Sequence, residues 1–484
     1  MVSLFSVVCA SCALGAVETD SAYKAIERNV EAAVAENAVR QAALKDRCSL
    51  ADYGSLVRDV NGTNVWTVAL QKALDEHEIV TIPAAGTPYF IDAPVLVPSN
   101  RRIEAKGATV RLLDGTRTLL LRNRAAADGT LAPIPSGTGD DNIAVVGGRW
   151  EDWMTCRKGY GGTGVFNLKP RETGNFYGVS TLFYFGNCSH VTVTDATFHH
   201  CSGFAVQAGD GEAFRFERIR FDDCFADGLH LNGNLRRVLC RDVRGKVGDD
   251  LVALNAYDWL NSSVNFGPQR DILCEDLELI LKDGKGYPAI RIQPAKYRYR
   301  NGTVVDCAIS DVIFRRVKGI MTFKMYLQTP RYAVGAKREW AEVGSGGNLF
   351  FERIEIDLER PIDLLGGYKT SDPVRGHFGA FEFGANLTSV TLRDIDITFH
   401  CDRYPLSHLA TVGPKSCRVF DPSGNPQEVF DPYVNCTVGE VRLENVRCHG
   451  RAPRELVHAT VFDDINGDGC SSGRGEIRKL SVLP

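Results

Sequence analysis

Asp227, Asp249 and Asp250 are the residues whose types and spacing could do chemistry. Asp227 opens Asp227-Gly228-Leu229-His230-Leu231-Asn232, and Gly248-Asp249-Asp250-Leu251-Val252-Ala253-Leu254-Asn255 follows after a gap in the low twenties. Such a gap is about one turn of a parallel β-helix, in which successive coils stack at roughly 4.8 Å. The spacing therefore gathers three carboxylates from two consecutive coils. Clustered carboxylates suit cleavage of a glycosidic bond, with one held protonated as general acid and another ionised to activate water. Solvated turn aspartates would satisfy the spacing alone.

The elements that must position these groups can be aligned as coils. Phe204-Ala205-Val206-Gln207, Leu229-His230-Leu231-Asn232, Val252-Ala253-Leu254-Asn255 and Ile290-Arg291-Ile292-Gln293 share the order apolar, variable, apolar, amide. Strand alternation sends the apolar positions into a core and the other two outward. The alignment sets Ala205, His230, Ala253 and Arg291 in one outer row and Gln207, Asn232, Asn255 and Gln293 in an amide ladder. Asp227 then lies over Asp250, with Asp249 flanking both. Upstream, Asn64 to Glu78 carries Val65, Val68, Leu70 and Leu74 at helical spacing, a cap for the first coil.

These segments resemble the polygalacturonase family, glycoside hydrolase family 28. Ala226-Asp227-Gly228 matches the Asp-Gly of the family's Asn-Thr-Asp-Gly turn, and Gly248-Asp249-Asp250 matches its Gly-Asp-Asp turn fully. Ala289-Ile290-Arg291-Ile292-Gln293 is similar to its Arg-Ile-Lys strand, with Gln293 in place of Lys. Asp52-Tyr53-Gly54, Val80-Thr81-Ile82-Pro83 and Val146-Gly147-Gly148-Arg149-Trp150 are similar to its opening strand and first coils. The resemblance runs from about Asp52 to about Val317. It implies a pectin-lyase-like right-handed parallel β-helix, an all-β solenoid, that hydrolyses glycosidic bonds with inversion. It assigns Asp249 as general acid, Asp227 and Asp250 as holders of the attacking water, and Arg291 as a substrate-binding cation. The family's Gly-His-Gly is absent. On one alignment Gly286-Tyr287-Pro288 stands in its place, which makes Tyr287 a substrate contact; on the other that coil is lost. Lys324, one coil on, would supply the missing cation. His230 is a candidate donor to a sugar hydroxyl, and Tyr257 and Trp259, just after the acidic coil, are candidates to stack on sugar rings.

Composition agrees with a turn-rich solenoid. The chain has 484 residues, 47 of them Gly, at 44% hydrophobic and a formal charge of −4, so no basic surface argues for nucleic acid. Residues 1–16 form an apolar run ending Ala13-Leu14-Gly15-Ala16, which reads as a secretory signal without the usual basic start; export or a periplasmic location follows. No later run is long enough to span a membrane. Residues 17–47 read as a helical segment, with an Ala-, Glu- and Arg-rich helix from Ala22 to about Lys45 available to the solenoid or to a second subunit, and 48–484 as the catalytic β-helix. Cys201, Cys224, Cys240, Cys274 and Cys307 recur near coil starts, where they stack as small apolar groups; some disulfides are open to the fifteen cysteines. The only CxxC pair lies in the signal, so no metal and no cofactor is expected. Beyond Val317, Leu349–Leu358, Gly379–Phe383 and Val390–Phe399 look like further coils, 402–435 like an irregular insertion, and 463–469 like a polar turn. The partner implied is a polysaccharide or oligosaccharide, pectic or otherwise uronate-containing. Two other functions stay open: a polysaccharide lyase with Arg291 recast as base, and a glycan-binding solenoid without catalysis.

Overall fold

The computed structural model describes residues 4–116, 118–128, 139–153, 181–257, 266–280, 289–298, 303–319, 323–325, 340–358, 379–399, 408–413, 416–420, 426–430, 435–450, 455–459, 461–462 and 473–483. They wind into a right-handed parallel β-helix, nearly all of whose strands join one 28-stranded sheet. Its register is read from a core column in which each residue pairs with the next: Ile143, Val191, Phe214, Val238, Ile272, Val312, Leu349 and Val390. Every member is at least 99% buried. Period-two alternation at each coil produces this stack, since a coil that puts one aliphatic inward puts its neighbours outward.

Long strands such as Phe204–Asp222 and Leu229–Lys246 turn the corners of the coil without breaking. They bend at single residues with positive φ, His190 (+55°), Ala213 (+60°), Arg237 (+56°), Asp271 (+54°) and Asp311 (+57°). These positions recur coil after coil, so the bends stack into an edge and the cross-section stays constant. Seven described cysteines, among them Cys201, Cys224, Cys240, Cys274 and Cys307, are buried in the core as free thiols, and Cys240 lies over Cys274. Burial pushes the Cys274 thiol well above its ordinary pKa. Among the described residues no disulfide is formed.

The cap helix α2, Thr67–Glu76, buries Ala69, Leu70, Ala73 and Leu74 against the first coils. The expected apolar stripe is corrected at one place: Val68 is 44% exposed, because Ala69 and Ala73 share the inner face instead. The Gln71 amide accepts from the Leu96 N–H and donates to the Leu96 carbonyl, at 2.8 and 2.9 Å. That side chain stands in for a missing neighbouring strand.

The N-terminal helix α1 spans Leu4–Ala43, 40 residues, and runs unbroken across residue 16, where the sequence places the end of the signal. It packs on the solenoid of its own chain. Ile26 and Val30 cover an outward-facing apolar stripe made by Leu239, Leu273, Ile313 and Phe350, which are register partners in turn. Two residues further along those strands the outward column reads Glu217, Arg241, Glu275, Arg315, Glu352, Arg393, Glu444, an unbroken alternation of charge. The helix adds a group to most of these rungs: Glu31 to Arg241 and Glu27 to Arg315 at 2.5 Å each, Tyr23 to Glu352, and Asp20 to Arg393 at 3.2 Å. At its other end Glu36 binds Arg237 and His190, and Arg40 binds Asp141. From Asp20 to Gln41 the helix rises roughly 31 Å. The coils it crosses, from Ile143 to Val390, rise about 34 Å, so helix and solenoid match in length.

The C-terminal coils are seen in Ser345–Leu358, Gly379–Phe383 and Asn386–Phe399. The expectation of an irregular insertion over 402–435 is corrected. His408–Val412 is a further strand of the solenoid, and Ser416–Phe420 pairs with Pro426–Phe430 as a hairpin. Residues 463–469 lie outside the described residues.

Candidate active site

The two acidic turns meet as the spacing implies. Leu229 pairs with Val252, His230 with Ala253 and Asn232 with Asn255, which sets Asp227 above Asp250. The Asp250 N–H donates to Asp227 Oδ1 at 3.2 Å, and the Gly228 N–H donates to the Asp250 carbonyl at 2.9 Å. Both glycines are required by close approach. A Cβ at Gly248 would run into the Phe225 carbonyl, and one at Gly228 would stand 2.7 Å from the Leu251 carbonyl and meet the Phe221 ring. Each of the three aspartates offers an oxygen within 4.8 Å of the others. Asp227 and Asp250 are buried, while Asp249 is half-buried and reaches solvent.

The groups around them hold the two buried carboxylates. His230 Nδ1 lies 2.6 Å from Asp227 Oδ2, and the imidazole is stacked on Phe204 with ring centres 3.8 Å apart. His230 is fully buried, with Nδ1 turned to Asp227. Arg291 follows Ala253 in the row, donates to Gln293 Oε1, and lies 3.6 Å from Asp250 Oδ2. With 3% of its surface exposed, Arg291 is buried beside Asp250. Gln293 is likewise buried.

Two placements differ from the expected alignment. Gln207, not Ala205, pairs with His230, a slip of two residues in the first coil. A two-residue slip leaves inward and outward faces unchanged, so an alternating pattern is blind to it. The amide ladder survives in part, with Gln207 donating to Asn232 Oδ1 and Asn232 to the Asn255 carbonyl, both at 3.4 Å. Tyr257 is the second correction. It is 1% exposed and stacks on Phe266 at 5.1 Å inside the core, because the chain turns inward after Asn255 to meet Gln293. Trp259 and Tyr287 lie outside the described residues. Lys324 is placed by its backbone, opposite Arg291; its side chain lies outside the described residues.

Two exposed aromatic residues, two coils apart, escaped the sequence reading. Phe225, two residues before Asp227, is 42% exposed and sits above Gly248. Trp153 is 40% exposed, with the Arg111 guanidinium 4.8 Å from its ring and His200 4.5 Å away. Asp152, fully buried, accepts from the Ser202 N–H and hydroxyl at 3.0 and 2.8 Å and fixes that turn. Trp153 and Phe225 stand about two coil spacings apart, roughly 10 Å. No periodicity marks either residue; exposure alone shows them.

Coil geometry and site together define a solenoid of the pectin-lyase type carrying an acidic cluster on its wall. An exopolygalacturonase from Thermotoga maritima is similar in structure, with a TM-score of 0.51 and 12% identity over 94% of this chain and 96% of that one. A polygalacturonase from Erwinia carotovora ssp. carotovora gives 0.38 at 12% identity, over 82% and 95%. A mutant tailspike protein of E. coli bacteriophage HK620, in complex with a pentasaccharide, gives 0.46 at 13%, over 85% of this chain and 64% of that one. At 12% identity the likeness to the Thermotoga maritima enzyme is one of fold. No family model matches the sequence, and no curated protein matches it.

Proposed function

We propose that the protein is an exported glycoside hydrolase acting on a polysaccharide or oligosaccharide. The observation that carries this reading is the gathering of three aspartates from adjacent coils within 4.8 Å, only one of them open to solvent. Asp249 is the general acid: it is the member a leaving glycosidic oxygen can reach. Asp227 and Asp250 hold and activate the water, with His230 orienting the first and Arg291 standing 3.6 Å from the second. Phe225 and Trp153 give sugar rings two faces to stack on along the solenoid axis. Arg291 is engaged by Gln293 and Asp250, which argues against its serving as the free base of a lyase.

Inversion is implied by the resemblance to polygalacturonases. The carboxylate oxygens lie within 4.8 Å of one another, closer than the ~6.5–9.5 Å usual for inverting pairs, so inversion rests on the resemblance and not on this spacing. Proton NMR of the first product tests it: retention of the anomeric configuration would make Asp227 or Asp250 a nucleophile. The activity itself is tested on pectic and other glycans by reducing-end release, with absorbance of unsaturated uronate followed in parallel. Absorbance without hydrolysis would indicate a lyase, and binding without either would indicate a lectin-like solenoid. A uronate substrate rests on the resemblance alone, and export on the apolar opening run, which N-terminal sequencing of the mature protein checks.

A further inference from the structure

The arrangement that holds Asp227 is built a second time near the far end of the same wall. The row containing His230 continues through Ala253, Arg291, Lys324, Glu382 and Thr411 to His458. Three residues before His458 stands Glu455, as Asp227 stands three before His230. His458 Nδ1 lies 2.8 Å from Glu455 Oε2, against 2.6 Å in the first pair. The correspondence extends to the ring on top. Phe204, three residues before Gln207 in the preceding coil, stacks on His230; His408, three residues before Thr411 in the preceding coil, stacks on His458 at 4.3 Å and 8°. Two substitutions separate the constellations: Glu455 stands for Asp227, and an imidazole replaces a phenyl ring.

That replacement changes the chemistry. Phe204 adds only packing, whereas His408 adds a third donor, its Nδ1 3.8 Å from the same Glu455 oxygen. His408, Glu455 and His458 each offer a ligand atom within 4.8 Å of the others. In a tetrahedral zinc site with bonds near 2.0–2.1 Å, ligand atoms lie about 3.3 Å apart, between the two distances observed here. We propose that His408, Glu455 and His458 bind a divalent transition metal, zinc by donor type. Imidazole and carboxylate ligands favour that class over calcium or magnesium. His408 is buried while Glu455 and His458 are partly exposed; the two rings lie 8° from parallel, so binding one ion through both requires the more exposed His458 ring to turn toward it.

The site has a structural task. Glu455–Ala459 finds register partners only on His408–Val412 among the described residues, and is the last described strand on this wall. An unpaired edge is the weak end of a solenoid. A metal held by one ligand from the penultimate strand and two from the last fastens that edge. The aspartates lie about five coil spacings away, roughly 24 Å, so the metal takes no part at Asp249.

The test uses the full chain, stripped with chelator and titrated with Zn2+ by calorimetry, beside His458→Ala and the conservative Glu455→Gln. Wild type should bind one equivalent that both variants lose, with a zinc-dependent rise in melting temperature that they also lose. Co2+ is titrated in parallel, because buried cysteines are the competing donors. The bound ion should show ligand-field bands without thiolate-to-cobalt charge transfer. Glycan hydrolysis, where present, should be unchanged on stripping. Equal stoichiometry in wild type and both variants, a thiolate charge-transfer band in place of the expected spectrum, or no binding at micromolar metal would each overturn the proposal.

Discussion

The wall under α1 and the wall bearing the aspartates are made from the same coils, yet they are built on opposite rules. Under α1 each rung repeats its neighbours: an apolar stripe, then strictly alternating Glu and Arg. Along the other wall the row runs Gln207, His230, Ala253, Arg291, with no position repeated. Repetition serves stacking, since each charge meets its opposite above and below. A row that changes at every coil cannot be a ladder, and its members instead make one local constellation. The contrast teaches where to look for chemistry in a solenoid: where the stacking rule is broken.

Breaking the constellation should give the largest effect. Asp249→Asn should lower kcat by about 10²–10⁴ through loss of the general acid, with an unchanged melting curve. A variant keeping a tenth of wild-type turnover would remove Asp249 from that role.

Breaking the ladder should act on stability instead. The Glu275 side chain is 2% exposed and is met by Arg241, by Arg315 at 2.5 Å and by Arg316 at 2.7 Å. Burial opposes its ionisation, but the hydrogen bonds from Arg315 and Arg241 outweigh burial and hold its carboxyl below the ordinary 4.5. Glu275→Gln should cost about 1.5–3 kcal/mol at neutral pH by removing the one buried carboxylate that Arg241, Arg315 and Arg316 share, each of them half-buried and keeping one other acidic partner, measured by denaturant unfolding. Because the folded-state value is depressed, this stabilisation is present above pH 4.5 and is lost as pH falls through the folded value. Wild type and variant should therefore converge in acid; a gap that persists there would mean that packing, not charge, is what Glu275 supplies.

Smaller effects sharpen the comparison further. Ile26→Ala should cost about 2–3 kcal/mol by opening a cavity over Leu273 and Ile313, while turnover at permissive temperature stays at wild-type level. His230→Gln should lower kcat about tenfold, roughly 1.4 kcal/mol, and leave KM nearly unchanged if His230 acts by orienting Asp227, as proposed from their 2.6 Å contact. A rise in KM alone would return His230 to sugar binding.

The acidic turns were legible because Asp-Gly and Gly-Asp-Asp keep the length of one coil and because their glycines have a steric reason to be there. The cap helix and the cysteine stack were legible for similar local reasons. What escaped needed coil lengths that vary. Arg241 and Glu275 are 34 residues apart, and Glu275 and Arg315 are 40. With no fixed period, the charge ladder, the strip under α1 and the His408 cluster are invisible until the coils are stacked. Gln207 was missed for the opposite reason, since a period of two tolerates the slip. Tyr257 failed because an aromatic residue beside a cleft and one beneath it read alike.

The course of α1 has a consequence for the order in which this molecule is made. A bare solenoid is held together by neighbours, and its coils can close one after another as they appear. Here Asp20 of an early helix meets Arg393, 373 residues further along the chain. The helix cannot seat fully until that coil has been delivered, and the long closure slows the final step. Until then Leu239, Leu273, Ile313 and Phe350 stay open to other chains, a window for aggregation or for a chaperone. Once seated, the same helix ties early coils to late ones, so that fraying at one end is felt across the stack.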